Sequence, residues 1–167
     1  MKQDRASVAA SQWRRERPDL DAFPMEVLGR LAETAQVIAR NHLNPLFADN
    51  GLQPGEFDVL ATLRRTGEPY ALTPTALYEA TMISSGGMTN RLDRLERAEL
   101  IERRRNPDDR RGSLVCLTNK GRTLIDRLIA KHIVNEQSVL KTLSEEEQLQ
   151  LNMLLEKLLV GLPSHAI

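Results

Sequence analysis

Two helix-start patterns, about ten residues apart and followed by a cluster of arginines, constrain this chain more tightly than anything else in it. Thr73 precedes Pro74, with Leu72 ahead of it and Leu77 at the fourth helical position, so the threonine reads as a cap and the two leucines as a hydrophobic staple. Ser84 repeats the role, with Ile83 ahead of it and Met88 at the fourth position. Thr81, Met82 and Ile83 leave room only for a tight turn between them, so residues 73–97 read as a helix-turn-helix. Its second helix is expected to bury Met88, Leu92 and Leu95. After Leu100 and Ile101 the pattern turns to strand: Arg103, Arg104 and Arg105 lead into Asn106-Pro107-Asp108-Asp109, then Arg110, Arg111 and Gly112, and Leu114-Val115-Cys116-Leu117 returns. Two strands about a charged loop make a hairpin over 101–117. A helix-turn-helix followed by a basic hairpin is a winged helix.

The rest of the chain supplies long helices. Residues 24–49 keep apolar side chains on one stripe, with Pro45 expected to kink the last turn. A shorter helix is expected from Pro54 to about Arg65. Thr118 caps a long helix, and Ser144 with Glu147 forms a capping box that opens the last one, so residues 119–160 are helical. Residues 1–22 form a charged arm around Trp13, with a short helix possible from 6 to 17 before Pro18. The fold class is therefore mostly α with a small β-hairpin wing, residues 23–163 being one domain after the arm. Residues 24–47 and 144–160 present more leucine than one small winged helix covers, which predicts a homodimer.

Composition sets the bounds. The chain has 167 residues, enough for one compact domain, with 41% apolar and 28% charged residues, which argues against disorder. Its 23 basic residues equal its 23 acidic ones, so a nucleic-acid surface must be a local patch. The single Cys116 excludes an internal disulfide and any CxxC motif. No apolar run approaches the ~18 residues of a membrane span, and the N-terminus carries no apolar secretory core, so a cytoplasmic protein without membrane contact is expected. His42, His132 and His165 lie far apart, no phosphate loop or GxSxG is present, and nothing points to a metal, a cofactor or an enzyme.

The chemistry of the second helix suits a major groove. Ser84, Ser85, Gly86 and Gly87 are small enough for a phosphate to approach the helix N-terminus. Thr89, Asn90 and Arg94 offer hydrogen bonds to base edges or phosphates. On the hairpin, Arg103, Arg104, Arg105, Arg110 and Arg111 outnumber Glu102, Asp108 and Asp109. Asp109 is spaced to orient the Arg111 guanidinium, so that the tip enters a minor groove already rigid. A solvated surface helix and an edge hairpin charged against aggregation are the plainer alternatives.

The segments Thr-Asn-Arg-Leu-Asp-Arg-Leu-Glu (89–96), Leu-Ile-Glu-Arg (100–103) and Asp-Asp-Arg-Arg-Gly-Ser-Leu-Val-Cys-Leu-Thr-Asn-Lys-Gly (108–121) resemble the MarR family of bacterial transcription regulators over roughly residues 24–160. The resemblance implies a homodimer whose terminal helices interlock, with double-stranded DNA as partner. It puts Ser84, Ser85, Thr89, Asn90 and Arg94 at recognition-helix positions, and Asp109 and Arg111, beside Arg110, on the wing. The arm, Trp-Arg-Arg-Glu-Arg-Pro-Asp-Leu-Asp (13–21), and Gly-Glu-Phe-Asp-Val-Leu (55–60) resemble the family's PecS-type, urate-responsive branch. That likeness implies an effector pocket at Trp13, Asp58 and Arg91 for a small anionic aromatic or purine, and release of a palindromic operator by a repressor. An aromatic face and a guanidinium fit such a ligand. Three other readings stay open: Trp13 as a packing anchor with Asp58 an exposed acid and Arg91 a phosphate contact, Cys116 as a thiol-oxidation sensor in the same fold, and a helical protein-interaction module that does not bind DNA.

Overall fold

The computed structural model describes residues 3–81, 87–107, 109 and 112–162. Helix α1 (Arg5–Glu16) starts where the Asp4 carboxylate accepts the Ser7 N–H at 2.9 Å. It lies along α2 (Phe23–Ile38), with Ala6 and Ala10 buried between them. Gly29 faces Ala6 across this contact, where a Cβ would stand at an ordinary contact distance of 3.5 Å from the Ala6 methyl. A π-helical stretch (Ala39–Leu43) then leads into α3 (Asn44–Ala48). The kink expected at Pro45 takes this form. Proline has no N–H to continue an α-helical ladder, and the turn before it widens so that the Asn44 N–H reaches the Ala39 carbonyl.

Helix α4 spans Glu56–Arg65, starting two residues later than the sequence suggested. Gly55 has a φ of +84°, a left-handed conformation that stops any helix running through it from Pro54. Strand β1 (Ala71–Leu72) follows, too short for periodicity to reveal. Thr73 caps α5 (Pro74–Ala80) as expected, accepting the Ala76 N–H at 3.1 Å.

Helix α6 covers Met88–Arg97, capped by Gly87 at φ +84°. The expectation that Ser84 caps this helix and Met88 takes its fourth position is therefore corrected: Met88 is its first residue, because a left-handed Gly87 breaks the helical path. Leu92 and Leu95 are buried as expected, while Met88 is only half-buried.

Strands β2 (Ile101–Arg105) and β3 (Ser113–Leu117) form the wing, paired from Ile101↔Leu117 to Arg105↔Ser113. The sheet has three strands in the order β1-β3-β2, because β1 adds to the other edge of β3. Thr118 caps α7 (Asn119–Leu140), and Ser144 and Glu147 make the expected reciprocal box at the start of α8 (Glu145–Gly161).

The core lies beneath the helix-turn-helix. Val59, Leu60 and Leu63 of α4 pack with Leu77, Leu92, Leu95, Ile101, Val115, Ile125 and Leu128. Each such side chain removed from water contributes about 1.5–3 kcal/mol. Helices α2 and α8 contain no buried residue in the single chain. Phe23, Met25, Leu28 and Leu31 stand exposed on α2, and on α8 Leu154 is 66% and Leu159 72% exposed.

Candidate nucleic-acid interface

The first turn of α6 leaves Thr89 and Asn90 exposed, with Leu92 and Leu95 directed to the core behind them. The Arg91 N–H donates to the Gly87 carbonyl at 3.0 Å. The Arg91 side chain lies against Gly55, where a Cβ would come within 2.6 Å of its Nε. One turn on, Arg94 donates from Nε to Glu56 Oε1 at 2.7 Å, and Glu56 is 2% exposed. The other oxygen of that carboxylate accepts the Gln53 N–H at 2.7 Å, tying down the turn before α4. Sequence reasoning placed Arg94 on the recognition helix but missed Glu56. No local pattern marks Glu56, which is the first residue of α4 after Gly55.

The wing is tied to α6. Arg103 donates from Nη2 to Asp93 at 2.6 Å, engages Glu96 through Nη1, and gives its backbone N–H to Glu96 at 3.2 Å. The hydrogen bond that Arg103 donates to Asp93 pushes the Arg103 pKa up. Arg104 pairs with Glu102, which raises its pKa likewise. Two of the five hairpin arginines are thus engaged within the protein, and Arg105 is exposed at the strand end. Beyond it the Asn106 N–H reaches the Gly112 carbonyl and the Gly112 N–H the Asp109 carbonyl, at 3.0 and 2.9 Å. Ser84, Ser85, Arg110 and Arg111 lie outside the described residues.

The three effector candidates are distributed over two regions. Trp13 is 44% exposed on α1, which packs along α2 through Arg14 to Glu26 (2.6 Å) and Arg30 to Asp4 (3.2 Å). Asp58 is half-buried in the first turn of α4, on the side of the buried Thr62 rather than on an open face. Arg91 is half-buried at the junction of the 53–56 turn with α6. Asp58 and Arg91 thus belong to neighbouring elements of the winged helix, and Trp13 to the arm. Cys116 is buried in β3, and burial pushes its thiol pKa up against the opposing pull of Arg104. That is the environment of an inert structural thiol rather than a reactive one. Among the described residues no group of three or more His, Cys, Asp or Glu side chains is placed to hold a metal ion, and no helix is long and apolar enough to cross a membrane.

Residues 50–112 match the MarR family model. Over 149 residues, covering 89% of either chain, the sequence is 44% identical to the HTH-type transcriptional regulator PecS of Dickeya dadantii. The chain belongs to the MarR family. It is a DNA-binding transcriptional regulator of winged-helix type and not an enzyme. Among solved structures, a cysteine-to-serine mutant of Escherichia coli MarR complexed with operator DNA aligns with a TM-score of 0.70 at 29% identity, over 88% of this chain and 97% of that one. BpsR of Bordetella bronchiseptica, described for regulation of its DNA binding by 6-hydroxynicotinic acid, aligns with a TM-score of 0.70 at 27% identity, over 80% and 98% of the two chains. Helices α5 and α6 and strands β2 and β3 of the present chain correspond to the helix-turn-helix and wing anticipated from its sequence.

Proposed function

We propose that the protein is a cytoplasmic repressor that binds a palindromic operator as a homodimer and leaves it when a small anionic aromatic molecule binds. The observation that carries this reading is the coupling of α6 to the wing. One exposed helix turn with Thr89 and Asn90 sits beside a basic hairpin, and Arg103 bonded to Asp93 fixes their relative angle. Thr89 and Asn90 are the proposed contacts to base edges of a major groove, Ser84 and Ser85 those assigned to its phosphates, and Arg94 one to backbone or base. Arg111, which Asp109 is spaced to orient, and Arg110 beside it are the proposed contacts in the adjacent minor groove. The kinship with MarR, whose structure includes operator DNA, supports this docking.

The unburied leucines support the dimer. Helices α2 and α8 expose apolar side chains along their length, and a second copy is what covers a surface of that extent in a soluble protein. Two-fold symmetry then demands a palindromic site.

For the effector, Trp13, Asp58 and Arg91 are the proposed contacts, with urate as first candidate. A flat anion stacks on the indole and pairs with the guanidinium. The regulation of BpsR by 6-hydroxynicotinic acid, an aromatic acid, supports this ligand class. Gel shift with fragments of the upstream region, competed with urate, xanthine and a simple aromatic carboxylate, tests the proposal. The expected result is one retarded fragment released by at least one of the three. Equal retardation of every fragment at physiological salt would contradict it.

A further inference from the structure

Arg94, on the recognition helix, forms an ion pair with a buried acid that is not on its own helix. Glu56 brings a carboxylate to the first turn of α4, 2% exposed, and divides its two oxygens between the Gln53 N–H and Arg94 Nε, both at 2.7 Å. Arg94 retains 42% of its side-chain exposure while so held. A guanidinium bound at Nε presents its two terminal nitrogens as a planar fork, the arrangement suited to two oxygens of a phosphate or to O6 and N7 of a guanine. The Nε edge is held by a buried partner while the side chain remains partly exposed.

We infer that Glu56 is a positioning residue for DNA recognition: it orients the Arg94 fork and, through it, sets the angle at which α6 meets the groove. This rests on the proposed DNA-binding reading and assigns within it a residue that does not itself touch DNA. Two features of the 53–56 turn converge on the same helix. Glu56 holds Arg94, and Gly55, lacking a side chain, lets Arg91 lie across the turn one helical turn earlier. Preorganising a side chain in this way raises discrimination, because the fork's freedom is already lost before DNA arrives.

A double-mutant cycle separates positioning from mere support of the turn. Wild type, Glu56→Gln, Arg94→Met and the double variant, all full-length, are titrated by fluorescence anisotropy against the upstream duplex and a scrambled duplex. Glutamine keeps an acceptor for the Gln53 N–H but loses the charge that holds the guanidinium. Each single variant should lose roughly three- to thirtyfold in operator affinity, with a smaller loss on the scrambled duplex. The double variant should bind no worse than Arg94→Met alone, within about twofold. An undiminished effect of Glu56→Gln in the Arg94→Met background, or none in the wild type, would overturn the inference. If Glu56→Gln does not fold, Arg94→Lys carries the test: it keeps the charge but not the fork, so the salt dependence should persist while discrimination falls, and wild-type discrimination would overturn the inference. A wild-type protein that binds both duplexes equally would instead overturn the DNA-binding reading beneath it.

Discussion

Arg103 on β2 and Asp93 on α6 meet at 2.6 Å, so the wing and the recognition helix are joined before any DNA is present. Glu96, one helical turn further, engages the same guanidinium. The arginine that sequence alone counts toward a DNA footprint therefore spends its charge inside the protein.

This separates two arginines of the hairpin experimentally. Arg103→Met should lower operator affinity about three- to tenfold through lost alignment of the wing, with the slope of log affinity against log salt unchanged. Arg111→Ala should weaken binding and reduce that slope by about one, because it removes a cation at the phosphates. Salt titrations of both variants on one duplex check the pair; equal slope changes would contradict the division of roles.

Gly121 fixes the start of α7 against the end of the recognition unit. A Cβ there would overlap the Leu100 carbonyl oxygen, which already accepts the Thr118 N–H at 3.1 Å, and would stand 2.9 Å from a Leu117 methyl. The obstacle is backbone, so it cannot swing aside. Gly121→Ala should destabilise the fold by about 1–3 kcal/mol, measured by urea unfolding. A stability equal to wild type would mean that α7 shifts freely at its first turn.

The sequence made the recognition unit readable because its signals are local. Thr73 before Pro74, Thr118 before Asn119, and Ser144 with Glu147 each satisfy N–H groups within three residues, and all three caps stand where they were expected. The misses share the opposite character. Gly55 and Gly87 adopt left-handed conformations that shorten α4 and α6, and sequence did not distinguish them from ordinary loop glycines. Strand β1 exists only because β3 offers it an edge. Among site residues, Arg94 was legible as a recognition-helix cation, but its partner Glu56 lies 38 positions away and is brought to it only by folding.

The arm should respond to acid. Glu26 accepts hydrogen bonds from Arg14 at 2.6 Å and from Arg30 at 2.9 Å, and these hold its pKa below the usual carboxylate value; the Ser7 N–H does the same for Asp4. A lowered folded-state pKa means stabilisation present above the unfolded value and lost as pH falls through the folded one. Attachment of α1 to α2 should therefore weaken as pH drops from about 5 toward 3. Fluorescence of Trp13, the only tryptophan, reports it; Glu26→Gln should loosen the arm already at neutral pH, and a wild-type signal there would argue against the ion pairs as its anchor.

Trp13 tests the effector proposal separately. Removing the ring should raise the ligand concentration needed to release DNA by about five- to 150-fold, corresponding to ~1–3 kcal/mol of stacking. DNA affinity without ligand should stay at the wild-type value, because α1 packs on α2 rather than on the recognition helix. A packing anchor would instead lower thermal stability and leave the ligand response intact.

Two copies of this chain are proposed to read one palindrome. The most direct test is a stoichiometric titration of the palindromic duplex and of a scrambled duplex of equal length at fixed physiological salt, followed by anisotropy. Saturation is expected at two chains per palindrome, with an affinity at least about a thousandfold above that for the scrambled duplex. Saturation at one chain, or equal affinity for both duplexes, would contradict it.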